Sequence, residues 1–514
     1  MKENKRPAAV SFMKYNMIVY LLLLVIVPSV LYFRIVYFEY SGLDDISIIT
    51  NSISGQGSPL NLKDAFTHDA FMSDKGETFY RPLQTISFML DGRLGRKESW
   101  IYHLSNLILH ILTVIALFFF LKKIGIKKEI SFLLSLLFSV NPLLTNAVAW
   151  IPARGDILLC LFSLLSFITF LDYFNTRKTV YFIMHALVFL MAVFSKETAV
   201  ILPVLILSYF YFVQKKKFVL KDIIPFLAIW LLWFGLFLSL RQSVIIITHT
   251  SNIFGIIPFI KNLPVIPITF CKFFFPYDLC TMPFFDNTGL IAGVILLVVF
   301  AAVSFKFIRK ERRMFIWGIV WFLAFSVPPM FLRSPYAAIG YEYFEYRTYL
   351  PIIGILIIAG FLINELSAGI SFKNMLIMSI PILLVYSIIA FFHSAVFTDP
   401  VSFFTSAIET NSNNVLALAR RGIEYYDRGS MEKAISDFDN AIRLCPTYPV
   451  PYFSKGVLYR SLNDHYRAEY FFSEALKYDT LYNDVNLLKA NAYINLSLEK
   501  NILYKYKTFL LRQR

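Results

Sequence analysis

The stretch IVYLLLLVIVPSVLYFRIVY, Ile18 to Tyr37, is followed shortly by Gly42-Leu43-Asp44-Asp45-Ile46. The first part is apolar apart from Arg34, and as a helix it is long enough to cross the roughly 30 Å of hydrocarbon in a bilayer. Two adjacent carboxylates then stand at its mouth, where a charge close to hydrocarbon loses hydration. Either they end the span by sitting in water, or they open a site whose cationic partners come from later loops on the same face. The layout of the remaining chain decides between the two.

That layout is a membrane protein's. Of 514 residues, 57% are hydrophobic, 17% aromatic and only 16% charged, and apolar runs recur between short clusters of Lys and Arg. Spans are expected at about 17–37, 103–121, 130–149, 157–173, 180–194, 198–213, 222–240, 288–305, 314–331, 349–366 and 375–395. The fold class is therefore all-α, a polytopic protein of about eleven transmembrane helices. The first run is too long for the core of a cleavable signal, and no small-residue cleavage site follows it.

The net charge of +15 does not point to nucleic acid, because the basic residues cluster in alternate loops. Lys2, Lys5, Arg6 and Lys14 precede the first span. Lys122, Lys123, Lys127 and Lys128 follow the second, Arg177 and Lys178 the fourth, and Lys215, Lys216, Lys217 and Lys221 the sixth. Lys306, Arg309, Lys310, Arg312 and Arg313 precede the ninth. With eleven spans all of these fall on one side, the cytoplasm. Residues 252–275 are apolar but broken by Lys261, Pro264, Pro267 and Lys272. They are read as re-entrant or interfacial on the extracytoplasmic face, because one more crossing would put the last basic cluster outside. The loops at 38–102, 150–156, 195–197, 241–287 and 332–348 then share the extracytoplasmic face with the C-terminus, in an integral protein of the bacterial inner membrane.

Beyond residue 400 the composition changes and a repeat begins. Gly422-x-x-Tyr425 recurs as Gly456-x-x-Tyr459, Ala434-x-x-x-Phe438 as Ala468-x-x-x-Phe472, and Ala441 as Ala475. This is the tetratricopeptide period, in which small residues let paired helices approach and aromatics fill the space between them. Two domains are expected: a membrane domain over 1–400 and an extracytoplasmic repeat domain over 401–514. Ala490-x-x-Tyr493 would start a partial third unit. So short an array has little stability of its own and is expected to lean on the membrane domain. It would serve either as a groove for a protein partner or as a packing module.

The charged residues of the outer loops are the candidates for chemistry. Arg81 in Phe79-Tyr80-Arg81-Pro82 suits either a phosphate or a lipid headgroup. His103, Asn106 and His110 share one helical face, where an interhelical hydrogen bond competes with a catalytic role. Arg154-Gly155-Asp156 and Lys196-Glu197 form tight turns at the membrane surface. Tyr341 to Arg347 interleaves aromatics with Glu345 and Arg347. No HExxH, P-loop or GxGxxG sequence is present, which disfavours a zinc hydrolase and nucleotide binding. Cys160, Cys271, Cys280 and Cys445 make no metal-ligand spacing, although Cys271 and Cys280 would be able to pair if their segment is extracytoplasmic.

In order along the chain, Leu43-Asp44-Asp45, Tyr80-Arg81-Pro82, His103-x-x-Asn106-x-x-x-His110, Asn141-Pro142 and Ala147-Val148-Ala149-Trp150 form a recognisable series. Arg154-x-Asp156, Lys196-Glu197 and Glu345-Tyr346-Arg347-x-Tyr349-Leu350-Pro351 continue it. The chain resembles the transmembrane and tetratricopeptide repeat-containing (TMTC) O-mannosyltransferases and their bacterial relatives. It departs from them in its short repeat array and in Asn146, where the resemblance implies an acidic residue.

The resemblance implies a GT-C fold and transfer, with inversion, of a monosaccharide such as mannose from a polyprenyl-phosphate donor to a protein or glycan acceptor. It makes Asp44 the general base, with Asp45 orienting it, binding the sugar, or joining it to hold a divalent metal such as Mg or Mn. Arg81, Arg154, Lys196 and Arg347 would receive the donor phosphate. His103, Asp156, Glu197, Glu345 and Tyr346 would bind or orient sugar or acceptor. A scaffold that recruits partners through its repeats is the alternative. A flippase is disfavoured because the span interiors are nearly free of Asp, Glu, Lys and Arg.

Overall fold

The computed structural model describes residues 7–45, 48–49, 54–55, 58–59, 61–72, 79–214, 220–245, 255–307, 312–332 and 343–478. Among these the protein is a helical bundle, and its only paired strands are the two-residue pieces Ser54–Gly55 and Ser58–Pro59. Eight helices are long and apolar enough to cross a bilayer, or nine if the bent pair Lys128–Val140 and Pro142–Ala149 is one span.

Each of the eleven expected positions carries a helix, but not all are single long rods. Thr179–Ser195 and Ile352–Leu366 are shorter, and Glu197–Val213 is assembled from 3-10, α and π turns. The 53° bend between Val140 and Pro142 has a local cause. Pro142 cannot donate to the preceding turn, and the Asn141 side chain accepts from Leu143 N at 3.1 Å, capping a new helix start.

The segment Ile256–Phe274, expected to be re-entrant or interfacial, is by length and composition able to span. Gly255 N donates to Phe331 O at 3.1 Å, beside the end of the Arg312–Ser326 helix. From there Pro267 packs on Gly293, and Phe270 and Phe274 pack on Phe300. The Val265–Phe274 helix therefore packs on the next helix, Asn287–Phe307.

The two ends of the bundle differ in chemistry. At one end Lys123 pairs with Asp172, Arg177 with Asp222 at 2.8 Å, and Arg313 donates to Phe212 O at 2.8 Å. The described basic loops meet here. The opposite end carries the Asp44–Asp45 loop, the turns at 154 and 196, and the C-terminal helices.

Those helices form two antiparallel pairs, Val415–Asp427 with Met431–Leu444 and Pro449–Ser461 with His465–Tyr478. The repeated glycines have a packing reason: a Cβ on Gly422 would lie 2.6 Å from the Phe438 ring, and one on Gly456 2.6 Å from Phe472. The array does lean on the bundle. Leu31, Phe38, Trp150, Phe403, Phe404, Leu416 and Tyr448 belong to one continuous apolar core. The partial third unit from Ala490 lies outside the described residues.

Candidate active site

The carboxylate pair sits in a tight turn that begins with Gly42 at φ 86° and Leu43 at φ 44°. Only glycine adopts the first of these without steric cost. The turn wraps Ser41 around Asp45, whose Oδ2 accepts from Ser41 N at 2.7 Å and Ser41 Oγ at 2.8 Å. Asp45 is fully buried. Its Oδ1 and the Trp150 Nε1 are both buried without a hydrogen bond of ordinary geometry, although the indole N–H still acts on the carboxylate. Asp44 keeps partial exposure. Burial pushes its carboxyl up to about 6 against the opposing charge of Arg420. Burial likewise lifts Asp45 to about 7, with the Ser41 hydrogen bonds opposing and the neighbouring Asp44 charge adding.

Across Trp150 lies a charged cluster. The Trp150 ring stacks on Phe344 at 6.0 Å and meets Tyr346 at 5.2 Å. The Lys196 Nζ stands 5.7 Å from the Tyr346 ring and donates to both oxygens of Asp156 at 2.7 Å. Arg81 forms a bidentate pair with Glu197, at 3.2 and 3.0 Å. The Arg347 guanidinium lies 5.8 Å from each of the rings of Tyr343, Phe344 and Tyr346. Charges from Tyr346, Tyr343 and Asp156 raise it above its ordinary value despite burial.

Local sequence explains these positions. Pro82 starts the Pro82–Gly95 helix, so Arg81 occupies its N-cap. Asp156 lies in the first turn of Arg154–Thr176, where the helix dipole favours a negative charge. Lys196 is extended between two helices, at φ −162°. Arg347 sits on the 3-10 turn Glu345–Thr348.

The structure thus brings Asp44, Asp45, Arg81, Asp156, Lys196, Glu197, Tyr346 and Arg347 to one end of the bundle. It sets three expected site residues apart. Arg154 is fully buried and committed to protein: it pairs with Asp91 at 2.6 Å, donates to Asn106 Oδ1 at 2.7 Å and Tyr102 O at 2.8 Å, and lies over Phe88. A guanidinium so engaged ties helices together and has no face left for a phosphate. His103 Nε2 is 3.3 Å from Glu39 O, inside the core. Its helical-face partner His110 bonds Tyr349 Oη at 2.6 Å and Ser139 O at 3.2 Å. The interhelical reading of this face is the one that fits.

Glu345 is buried as well. It accepts from Lys272 Nζ at 2.7 Å, Cys280 N at 3.3 Å and Asn146 Nδ2 at 3.5 Å. It anchors the segment Ile256–Phe274 rather than facing a ligand. Asn146 itself also donates to Cys280 O at 2.9 Å and bonds His393 Nε2 through Oδ1 at 3.0 Å.

Lys272 is legible in the sequence only as a charge interrupting an apolar run, and Asp91 gives no motif at all. Both carry buried ion pairs. Cys271 and Cys280 are buried, unpaired thiols. Among the described residues no group of three or more His, Cys, Asp or Glu side chains surrounds a metal-sized point. Glu342 lies outside the described residues.

Residues 83–240 match the family model described as dolichyl-phosphate-mannose-protein mannosyltransferase, and residues 422–463 match one for tetratricopeptide repeats. The chain is similar to a protein O-mannosyl-transferase of Caenorhabditis elegans, 26% identical over 437 residues, covering 79% of this chain and 60% of that protein. It is 35% identical over 133 residues to human protein O-mannosyl-transferase TMTC1, covering 25% of this chain and 15% of that one. With human TMTC2 it shares 39% over 99 residues, covering 19% of this chain and 12% of that one. Among solved structures, ArnT from Cupriavidus metallidurans bound to undecaprenyl phosphate aligns with a TM-score of 0.42 and 14% identity, covering 83% of this chain and 75% of that chain. The chain spans less than two thirds of the length of these curated O-mannosyl-transferases.

Proposed function

We propose that the chain is an inverting membrane glycosyltransferase of the GT-C type, which moves a monosaccharide from a polyprenyl-phosphate donor to an extracytoplasmic acceptor. The observation that supports this most is the grouping of a carboxylate pair and the cations Arg81, Lys196 and Arg347 at one end of the bundle, on either side of Trp150. Mannose is the sugar we propose, from the likeness to O-mannosyl-transferases.

A polyprenyl phosphate keeps its chain in the bilayer and its phosphate at the interface, where Arg347 and Lys196 stand. Asp44 accepts the acceptor hydroxyl's proton as that oxygen forms a bond to the anomeric carbon. The bond from the anomeric carbon to the phosphate oxygen breaks on the opposite face, which inverts the centre. The departing phosphate gathers negative charge. Cations already fixed by Glu197, Asp156 and an aromatic cage meet it without reorganising.

A divalent ion such as Mg or Mn is compatible with this centre, since such ions are commonly held by one or two carboxylates together with substrate phosphates. Asp44 and Asp45 would hold it, and it would supply further charge to the phosphate. We place the N-terminus in the cytoplasm and the repeats on the far side of a bacterial inner membrane.

The test is sugar transfer by purified protein from a polyprenyl-phosphate mannose donor. Asp44→Asn should lose transfer while eluting as the parent does and still unfolding cooperatively. Full activity in that variant removes Asp44 from the mechanism. A cellular phenotype that is unchanged when Arg81, Lys196 and Arg347 are neutralised together, but is lost on changes to the repeat surface, would favour the scaffold reading instead.

A further inference from the structure

The helix Val415–Asp427 opens the repeat array, yet its Val415, Leu416 and Leu418 pack into the same apolar core as Phe38 and Trp150, on either side of the carboxylate turn. Glu39 N donates to Thr398 O at 2.9 Å. The Arg428 guanidinium lies 3.1 Å from Asp399 and 3.5 Å from Glu39. A Cβ on Gly42 would be 3.2 Å from both Phe404 and Pro400. Trp150 meets Phe403 at 6.2 Å, and Thr281 Oγ1 donates to the Phe403 carbonyl at 3.0 Å. The carboxylate turn therefore rests directly on the segment that leads into the first repeat.

Two adjacent arginines on that helix behave differently. Arg421 is spent inside the array, donating to Asp437 at 2.7 and 2.8 Å. Arg420, the preceding residue, makes no hydrogen bond through its buried Nε among the described residues, and its charge acts on Asp44. A buried guanidinium N–H is costly to leave unsatisfied, and such a group beside a carboxylate is a ready donor for an incoming oxygen.

We propose that Arg420 is a positioning residue of the cleft, so that the first tetratricopeptide helix forms a wall of the catalytic centre and is not a separate recruiting arm. The guanidinium orients Asp44 and offers Nε–H to an acceptor or sugar oxygen. This rests on the reading of Asp44 as the base.

The experiment uses the full-length protein in detergent. Arg420→Met keeps the side-chain stem and removes the charge, Arg420→Lys keeps the charge, and Arg443→Gln on the exposed side of the array is the control. With polyprenyl-phosphate mannose as donor, Arg420→Met should lower kcat about tenfold, the loss of one charge-assisted contact, with little change in donor KM. Arg420→Lys should recover most of the loss, and Arg443→Gln should match the parent. A parental kcat in Arg420→Met overturns the proposal.

A second arm does not need catalysis. Melting temperatures of Arg420→Met, Asp44→Asn and the double variant should be non-additive. Additive shifts overturn the contact. Should the parent itself transfer no sugar, the base reading fails while this cycle still decides whether Arg420 and Asp44 are coupled.

Discussion

Asp44 has to be ionised to take a proton, and burial works against that. With its carboxyl held up to about 6, the base form is lost as pH falls through that value. The rate of transfer, followed from pH 8 to pH 5, should drop on an acid limb near pH 6. The stability effect has the opposite sign. A carboxyl raised in the folded state stabilises the fold most below its unfolded value, near pH ~4, and that contribution fades as pH rises through 6 and, for Asp45, about 7. Melting temperature measured over the same range in Asp44→Asn and in the parent should show the parent losing its advantage as activity appears. Arg154 belongs to a different class of residue. Removing its charge with Arg154→Gln leaves Asp91 buried and unpaired, a defect that costs about 3–5 kcal/mol. Chemical or thermal unfolding should register it, whereas a phosphate-binding role would show mainly as a raised donor KM.

Among the elements, the helix pairs of the tail depend on the absence of a side chain at Gly422 and Gly456. A Cβ at either position would meet a buried phenylalanine ring 2.6 Å away. Gly422→Val should therefore destabilise the tail by about 1–3 kcal/mol, the usual range for overpacking a filled site, and protease nicking between 411 and 478 should report it. The same local logic makes the repeat readable in the amino-acid sequence, since its period is carried by residues that touch within one helix pair. The bend at Asn141-Pro142 is readable there in kind but not in angle. The segment Ile256–Phe274 stands out in sequence only by the charges and prolines that break it, and its contacts, such as Pro267 on Gly293, are ones that no local pattern encodes.

For the whole molecule, the enzyme reading requires one face. Reporter fusions placed after residues 44, 347 and 478 should all report the extracytoplasmic side, and fusions after residues 125 and 177 the cytoplasm. Residue 44 and residue 347 on opposite sides would separate the carboxylates from the cations and end the mechanism.

By itself the amino-acid order determined the all-α class, the spans, the side on which the basic loops gather and the tetratricopeptide tail. These follow from hydropathy, helical period and charge within short windows, and such properties are local. Only the tertiary structure decided which charges answer one another. Arg81 and Glu197, or Arg154 and Asp91, lie far apart along the chain, and their pairing depends on where helices cross. Arg154 and Lys196 are both basic residues at short turns and read alike in sequence. One is held among Asp91, Asn106 and Phe88, and the other by Asp156 beside Tyr346. Both are buried, so their partners separate their roles, and partners are a property of the packed bundle.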